Sequence, residues 1–541
     1  MIGVAVNESQ LDVVTEFFEL FKTPWEQAVP GRHYRVVLTT TESSRTFHAD
    51  VVFIYGSRGV HIDGKAGLTA SNVSGLVTLR WRDVQLPIYK GVAIFESTQP
   101  DDFLTFDERP VTYRSEVDGQ MVYRIGYDLL AEIQFLLTEG QPVKQALTPT
   151  VEIHIGVLRH LLRLCHISFL EIPPRPHGYD FMCCLTHDID FFGIRSHVFD
   201  RTMAGFLYRA SFGTLLNLIR GHRSLPDACR NWLAVLSLPL VFLRVLPDCW
   251  RPFEEYAQVE DPKLSTFFLV PFKGKAGVAP NGSPNHWRET PYGIGDIREH
   301  VKAAADADSE LALHGIDAWC DTVAGCEESN QLTALTGQKN VGIRMHWLYF
   351  DQGSPKTLEA AGFDYDSTCG YNEAVGYRAG TSQSFRPLGC STLMELPLTI
   401  MDSALFSSGR MGLTPVGAMS LCKRIVAQAR REGGAIVINW HDRSLAPERL
   451  WDRFYQELLL EIRAGGRVWF AKAREAVDWF RWRRSIRFSR IDSSGPDVQI
   501  TISAPLRTSV GAVVQVSRAL PSGVETEVLR IGNNSAVTVG L

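Results

Sequence analysis

From Tyr179 to about Arg484 the chain repeats one rhythm: a short apolar run, a polar loop, then a helical stretch. The runs are Phe181–Leu185, Ser265–Val270, Leu311–Leu313, Val341–Met345, Leu393–Leu398, Ala435–Trp440 and Val468–Ala471. Apolar residues at helical spacing stand between several of them, over Asp296–Ala307, Pro415–Arg431 and Pro447–Ala464. Glu432-Gly433-Gly434 and Gly465-Gly466 fall where two of these helices need a C-cap. Strand and helix in alternation predict an α/β fold, a parallel sheet or barrel with helices outside. In such folds the chemistry gathers at the C-terminal ends of the strands.

The flanks have other patterns. Before Pro173, Pro174 and Pro176, a stiff connector, the chain mixes strands (Arg35–Thr39, Asp50–Tyr55) with helices (Tyr127–Thr138, Val151–His166). After residue 496, Val498–Pro505, Gly511–Leu520 and Ala536–Leu541 are β-rich with turn residues between them. The expected division is an N-terminal α/β domain over 1–175, a barrel over 176–485 and a C-terminal β-rich module over 486–541.

A chain of 541 residues is too long for one core, which agrees with two or three domains. A net charge of −5 gives no argument for a nucleic-acid partner, which calls for a basic face. The N-terminus lacks a basic stretch followed by an apolar run, so it does not read as a secretory signal, and a cytoplasmic location is the expectation. The ten cysteines form no CxxC pair and are expected to be free thiols. Asn231–Leu246 is apolar but short, and carries Pro239 and Arg244, whereas a spanning helix needs about 20 apolar residues. It reads as a buried or partner-facing helix in preference to a membrane-surface one, although Arg201, Arg209, Arg220 and Arg223 lie upstream. The oligomeric state is not legible.

The strand ends carry the candidate chemistry. Thr186-His187-Asp188-Ile189-Asp190 puts Asp188 and Asp190 on one face. Two adjacent carboxylates perturb each other, and a metal resolves this if one ligates while the other stays free as a base. The plain alternative is a polar turn in which Asp caps a helix. Leu313-His314-Gly315 suits a ligand at a strand end, though a lone His is more often structural. Arg344 and His346 share a face of the next strand, where Arg344 can hold a carboxylate ionised or simply make a buried ion pair. Asp364-Tyr365-Asp366-Ser367, the Gly-flanked loop around Arg378, Glu395 and Asp402 follow. Ile438-Asn439-Trp440-His441-Asp442 places His441 as a general acid, with Asp442 beside it but facing the other way on a strand. Each signal is weak alone. Their convergence on the ends of one repeating unit is what an active site of this class needs.

In that order and spacing, residues 179 to about 484 resemble the polysaccharide deacetylase family, the NodB-homology or carbohydrate esterase family 4 domain. They look most like an exopolysaccharide-cluster branch, which Tyr127–Gly140 also resembles. The resemblance implies a distorted (β/α)7 barrel of the NodB type and metal-dependent removal of acetyl groups from a glycan or glycan precursor. It implies Asp188 as the base, Asp190 and His314 as metal ligands, Arg344 as the partner of the base and His441 as the acid. The family's second histidine, four residues after the first, is Ala318 here, and Asp317 or His346 is expected to replace it, His346 being preferred. The implied cofactor is a divalent metal, zinc, whose activated water attacks the acyl carbon while His441 protonates the leaving group. Arg378, Trp319 and Asp317 are candidates for substrate binding. Trp319, Trp347 and Trp440 suit either stacking on sugars or buried packing. Two rival readings stand beside this one: a metallohydrolase of a non-sugar amide, and a non-catalytic component of a polysaccharide assembly complex.

Overall fold

The computed structural model describes every residue except 41–46, 66, 97–102, 118, 222, 492–498, 506–509, 521–522, 532–535 and 541. Parts of the expected C-terminal β stretch, Val498 and Leu541 among them, therefore lie outside the described residues. The chain packs as two compact units: one of residues 1–178, 377–389 and 479–541, the other of residues 179–376 and 390–478.

The first unit is built on a six-stranded sheet. Its order is Thr112–Val117, Gln120–Ile125, Ala49–Tyr55, Tyr34–Thr39, Ile2–Ala5, Trp25–Gln27, parallel except for the first hairpin. Asp128 caps the helix Leu129–Thr138 by accepting from the Leu130 and Ala131 amides, so this helix starts two residues after the apolar pattern does. The C-terminal strands belong here too. Ala512–Leu520 pairs antiparallel with Phe169–Glu171, and buried Arg483 donates to the carbonyls of Glu19, Leu20 and Ile172. Those long-range bonds tie residues 479–541 to the N-terminal part of the chain.

The second unit holds a parallel α/β sheet. In chain order its strands are β1 (Phe181–Ile189), β2 (Ser265–Leu269), β3 (Glu310–Gly315), β4 (Gly342–Met345), β5 (Tyr365–Asp366), β6 (Met394–Glu395), β7 (Ile400–Met401), β8 (Ala435–Asn439) and β9 (Val468–Phe470). Among the described residues they run β6-β5-β4-β3-β2-β1-β8-β7, with β9 also paired to β1. All nine residues of β1 are buried, as a central parallel strand covered on both faces requires.

The two edge strands β6 and β7 are joined by residues 396–399 alone. Four extended residues reach at most about 14–17 Å, whereas eight strands laid flat at ~4.8 Å spacing span ~34 Å. The sheet must therefore curl until its edges approach, and the linker completes the turn. Leu396 N donates to Asp366 O, and Thr399 N to Val437 O. The C-terminal ends of β1, β3, β4, β7 and β8 then line one space.

Helices pack outside the sheet: α1 (Arg201–Tyr208), α2 (Thr214–Ile219), α3 (Leu225–Phe242), α4 (Arg298–Asp306), α5 (Thr322–Thr336), α6 (Ser354–Ala360), α7 (Asp402–Phe406), α8 (Pro415–Glu432) and α9 (Asp452–Ala464). The stretch Pro447–Ala464 is helical only from Asp452. Leu450 turns left-handed at φ +61° and Trp451 N returns to Ser444 O, so 447–451 form a loop instead. Of the stretch expected to be a buried or partner-facing helix, Asn231–Leu246, only one stripe is buried, and the helix ends at Phe242. Asn231, Ala234, Leu238 and Val241 are buried, but Leu233 and Leu236 are 65% and 74% exposed. Small and large apolar residues share the helix, and only one stripe of it packs, against Met203, Phe206 and Trp250. No helix of the described residues is long and apolar enough to cross a membrane. None of the ten cysteines is in a disulfide.

Gly342 opens β4 because the ring of Tyr365 occupies the place of a side chain. A Cβ there would stand 2.1 Å from Cζ of that ring, whose hydroxyl is fixed to Glu310 at 2.8 Å. Gly342→Ala is expected to lower stability by about 1–3 kcal/mol, read as a shift in the urea midpoint. An unchanged midpoint would contradict this packing.

Candidate active site

Strand alternation decides the two faces of the β1 end. His187 turns outward, where its Nε2 meets Glu260 at 2.8 Å and its Nδ1 meets Trp440 O at 2.9 Å, both buried. Asp188 turns inward. Arg344 from β4 donates to Asp188 Oδ1 at 2.9 Å and Asn439 from β8 donates to Oδ2 at 2.6 Å. Burial opposes the charge of Asp188, but the Arg344 guanidinium, with His314 and His441, outweighs it and holds this carboxyl below the usual range. Arg344 is itself fixed by Thr186 Oγ1 and by the carbonyl and hydroxyl of Ser367.

Asp190, two residues on, meets a different set. Its Oδ1 lies 3.3 Å from His314 Nε2 and 3.5 Å from His346 Nε2. One ligand atom from each of the three falls within 4.8 Å of the others. His314 Nδ1 lies 2.9 Å from Arg344 O, a carbonyl that can only accept, so Nδ1 carries a proton and Nε2 is the ring nitrogen turned to Asp190. Burial lowers the pKa of His346 to about 3, which keeps that ring neutral. Asp190 Oδ1 is buried with no hydrogen bond of good geometry. A carboxylate oxygen beside two imidazole nitrogens is a donor set that fits a divalent cation.

The backbone around these ligands is clamped. Buried Arg288 donates from one nitrogen to Ile316 O at 3.0 Å and His346 O at 2.9 Å, one residue chain from each strand end that carries a histidine. Glu328 from α5 accepts from the amides of Ile316 and Asp317, both at 2.8 Å. Trp347 and Leu348 follow His346 in left-handed conformation, φ +67° and +54°. Such residues cost about 1–2 kcal/mol each and persist where surrounding structure holds them, here Asn372 bonded to Trp347 O at 2.9 Å.

His441 stands across from this group, its Nε2 4.0 Å from Asp190 Oδ2. Its Nδ1 meets Asp402 Oδ1 at 2.6 Å, and Asp402 also accepts from the His441 amide at 2.7 Å and from Ser444 Oγ. Burial works against a charged ring, but Asp402 dominates and raises the pKa of His441 to about 9. At neutral pH the ring therefore carries a proton that its Nε2 can give. The carboxylate that sets this is Asp402, not Asp442. Asp442 faces away and accepts from the amides of Phe191 and Phe192, shaping the loop after β1.

A cavity of about 270 Å³ opens over Asp188, Asp190, His314, His346 and His441. Trp347, Trp451, Arg410, Arg443 and Arg449 also line it. The other sequence candidates lie elsewhere. Asp317 is held by Lys275 at 3.1 Å and by the Val278 amide at 2.8 Å. Trp319 is buried, and Trp440 is buried in a stack with Phe454 and Tyr455. Arg378 belongs to the first unit, where its carbonyl accepts from Gln141 N at 2.7 Å. Ala318 is fully buried beside Gly325 of α5, so the position where a second histidine was expected faces a helix. Sequence reading missed Arg288, Asp402 as partner of His441, and Asn439. Only Asn439 carried a signal, being two residues from His441 at the end of an apolar run.

No protein-family model matches the chain, and no curated protein matches it. Among solved structures, a Mycobacterium smegmatis protein provisionally named polysaccharide deacetylase aligns at 20% identity, over 57% of this chain and 94% of its own, with a TM-score of 0.35. Puue allantoinase aligns at 15% identity, over 57% and 93%, with a TM-score of 0.34. Likeness of this degree says nothing of function, and the functional reading stands on the site alone.

Two outcomes follow from the geometry. After chelation, the protein is expected to take up one divalent cation per chain in calorimetric titration with Zn2+ or Co2+, and His346→Ala to abolish that uptake. Arg288→Ala is expected to weaken it about 10–100-fold by releasing the backbone of both histidines. Absence of uptake by the unaltered chain would refute the metal site.

Proposed function

We propose that this protein is a metal-dependent hydrolase that removes acetyl groups from a glycan or glycan precursor. One observation carries the reading: the two carboxylates at the end of β1 sit in unequal settings around one cavity. Asp188 is fixed and ionised by Arg344 and Asn439, while Asp190 faces the imidazoles of His314 and His346.

Asp190, His314 and His346 would hold a divalent cation, zinc in our reading, which when bound would supply Lewis acidity to an acyl carbonyl and to a water. Asp188 is the base placed to accept the proton of a water attacking the acyl carbon. Its two oxygens are oriented by Arg344 and Asn439, and the residue lines the cavity. His441 gives its Nε2 proton to the departing nitrogen or oxygen, and Asp402 stabilises the imidazolium beforehand. Trp347 and Trp451, both lining the cavity, offer faces on which sugar rings stack. The order of five motifs that resembles the deacetylases favours a glycan over another amide.

The test is acetate release from acetylated glycan oligosaccharides. Chelation is expected to stop it and added cation to restore it. Asp188→Asn and His441→Ala are each expected to lower kcat by about 10²–10⁴-fold while cation uptake persists. Unchanged turnover in either variant would remove its assigned role. Asp402→Asn is expected to lower kcat with little effect on KM, because it strips the charge that holds the His441 proton. An equal loss through KM would make Asp402 a substrate contact instead.

A further inference from the structure

The segment between β1 and β2 folds as α1, a π-helical turn (Arg209–Gly213), α2 and α3. Its inner face has a core of its own, in which Met203, Phe206, Ala234, Leu238 and Val241 close on Trp250. The outer face is apolar as well. Sixteen of the thirty large apolar side chains exposed among the described residues lie between Val198 and Leu246, so the exposure is concentrated, not scattered. Phe212, Ile219, Leu233 and Leu236 are exposed by 67%, 73%, 65% and 74%. A helix apolar all round belongs with apolar material on both sides, and α3 has it on one.

The charge of the segment is equally distinct. From Val198 to Arg251 there are seven arginines, three aspartates and no glutamate or lysine, in a chain whose net charge is −5. Arg201, Arg220, Arg230 and Arg244 are exposed. A second cavity, about 530 Å³, runs along these helices and is lined by Arg209, Arg220, Arg223 and Arg449 beside Tyr208 and Leu216. It shares Ser407, Arg449 and Trp451 with the cavity over Asp188 and Asp190. Glu448 is the one carboxylate in its lining and accepts from Trp250 Nε1. Nitrogens of Arg209 and Arg449 are buried there without a hydrogen-bond partner, awaiting an acceptor.

We infer that this helical segment seats on the surface of an anionic lipid bilayer, its outer apolar face in the interfacial region and its arginines on lipid phosphates. Exposed apolar area and cationic charge in one segment are what interfacial binding uses. A second copy of the same face fits poorly, because it would set arginines against arginines. The arginine-lined cavity then joins the bilayer side of the molecule to the catalytic cavity, a path suited to a substrate carried on a lipid phosphate.

The experiment pellets the full chain with phosphatidylcholine vesicles made with and without phosphatidylglycerol. We expect pelleting with the anionic vesicles, weakened by added salt, and reduced roughly fivefold by each of Arg220→Gln and Arg244→Gln. The double variant Leu233→Asp/Leu236→Asp alters exposed positions only. It is expected to abolish pelleting while cation uptake and melting temperature stay those of the unaltered chain. The inference is overturned if the unaltered protein stays in solution with anionic vesicles, or if the aspartate pair pellets as before. A dimer in lipid-free sedimentation that the aspartate pair dissolves, with no vesicle binding, would assign the face to a second copy. Pelleting is read without turnover, so its failure and the failure of the hydrolase reading are separate results.

Discussion

At the centre of the second unit a carboxylate lies buried between a guanidinium and an amide. Asp188 comes from β1, Arg344 from β4 and Asn439 from β8, strands that chain order keeps far apart. A buried charge left without partners costs several kcal/mol, so the sheet is satisfied only when these strands are in register and curled toward one another. Much else is suspended from this contact. The carbonyl of Arg344 fixes the tautomer of His314, its side chain ties down Ser367 of the next strand, and Asn439 leads directly into the turn that carries His441.

The electrostatic result is a set of four groups in different states within one cavity. Asp188 is held ionised by a fixed cation, Asp190 faces the His314 and His346 rings, His346 is kept neutral by burial and His441 is kept protonated by Asp402. Identical residue types are thus driven apart by their surroundings, which is how one site can hold an acid, a base and a ligand set together. The backbone that carries the ligands is not left to loop geometry. Arg288 and Glu328 grip the peptide groups after His314 and His346, and Asn372 holds the left-handed Trp347 that follows.

The helices between β1 and β2 obey a different constraint. Their inner stripe is packed as any core is, but their outer stripe is as apolar as the inner. Hydrophobic periodicity in the sequence reports the sum of both stripes, and the sum reads as a buried helix. Only the accessible surface separates a helix that is enclosed from one that presents half its apolar side chains to an interface.

The sequence by itself determined the local features. Period and caps located most strands and helices of the α/β repeat to within a few residues, and alternation put Asp188 with Asp190 and Arg344 with His346 on common faces, as the structure has them. These are matters of short-range geometry, which neighbouring residues fix among themselves. Tertiary structure decided which groups separated in sequence meet. It paired His441 with Asp402, not with adjacent Asp442, and turned His346 toward Asp190 and His314 while Ala318 went to α5. It also carried Arg378 into the first unit and tied residues 479–541 to the same unit as the N-terminus. The reason is physical. A buried charge is stabilised by whichever partner the curled sheet delivers, and that delivery depends on closure across the whole sheet, which no local pattern encodes.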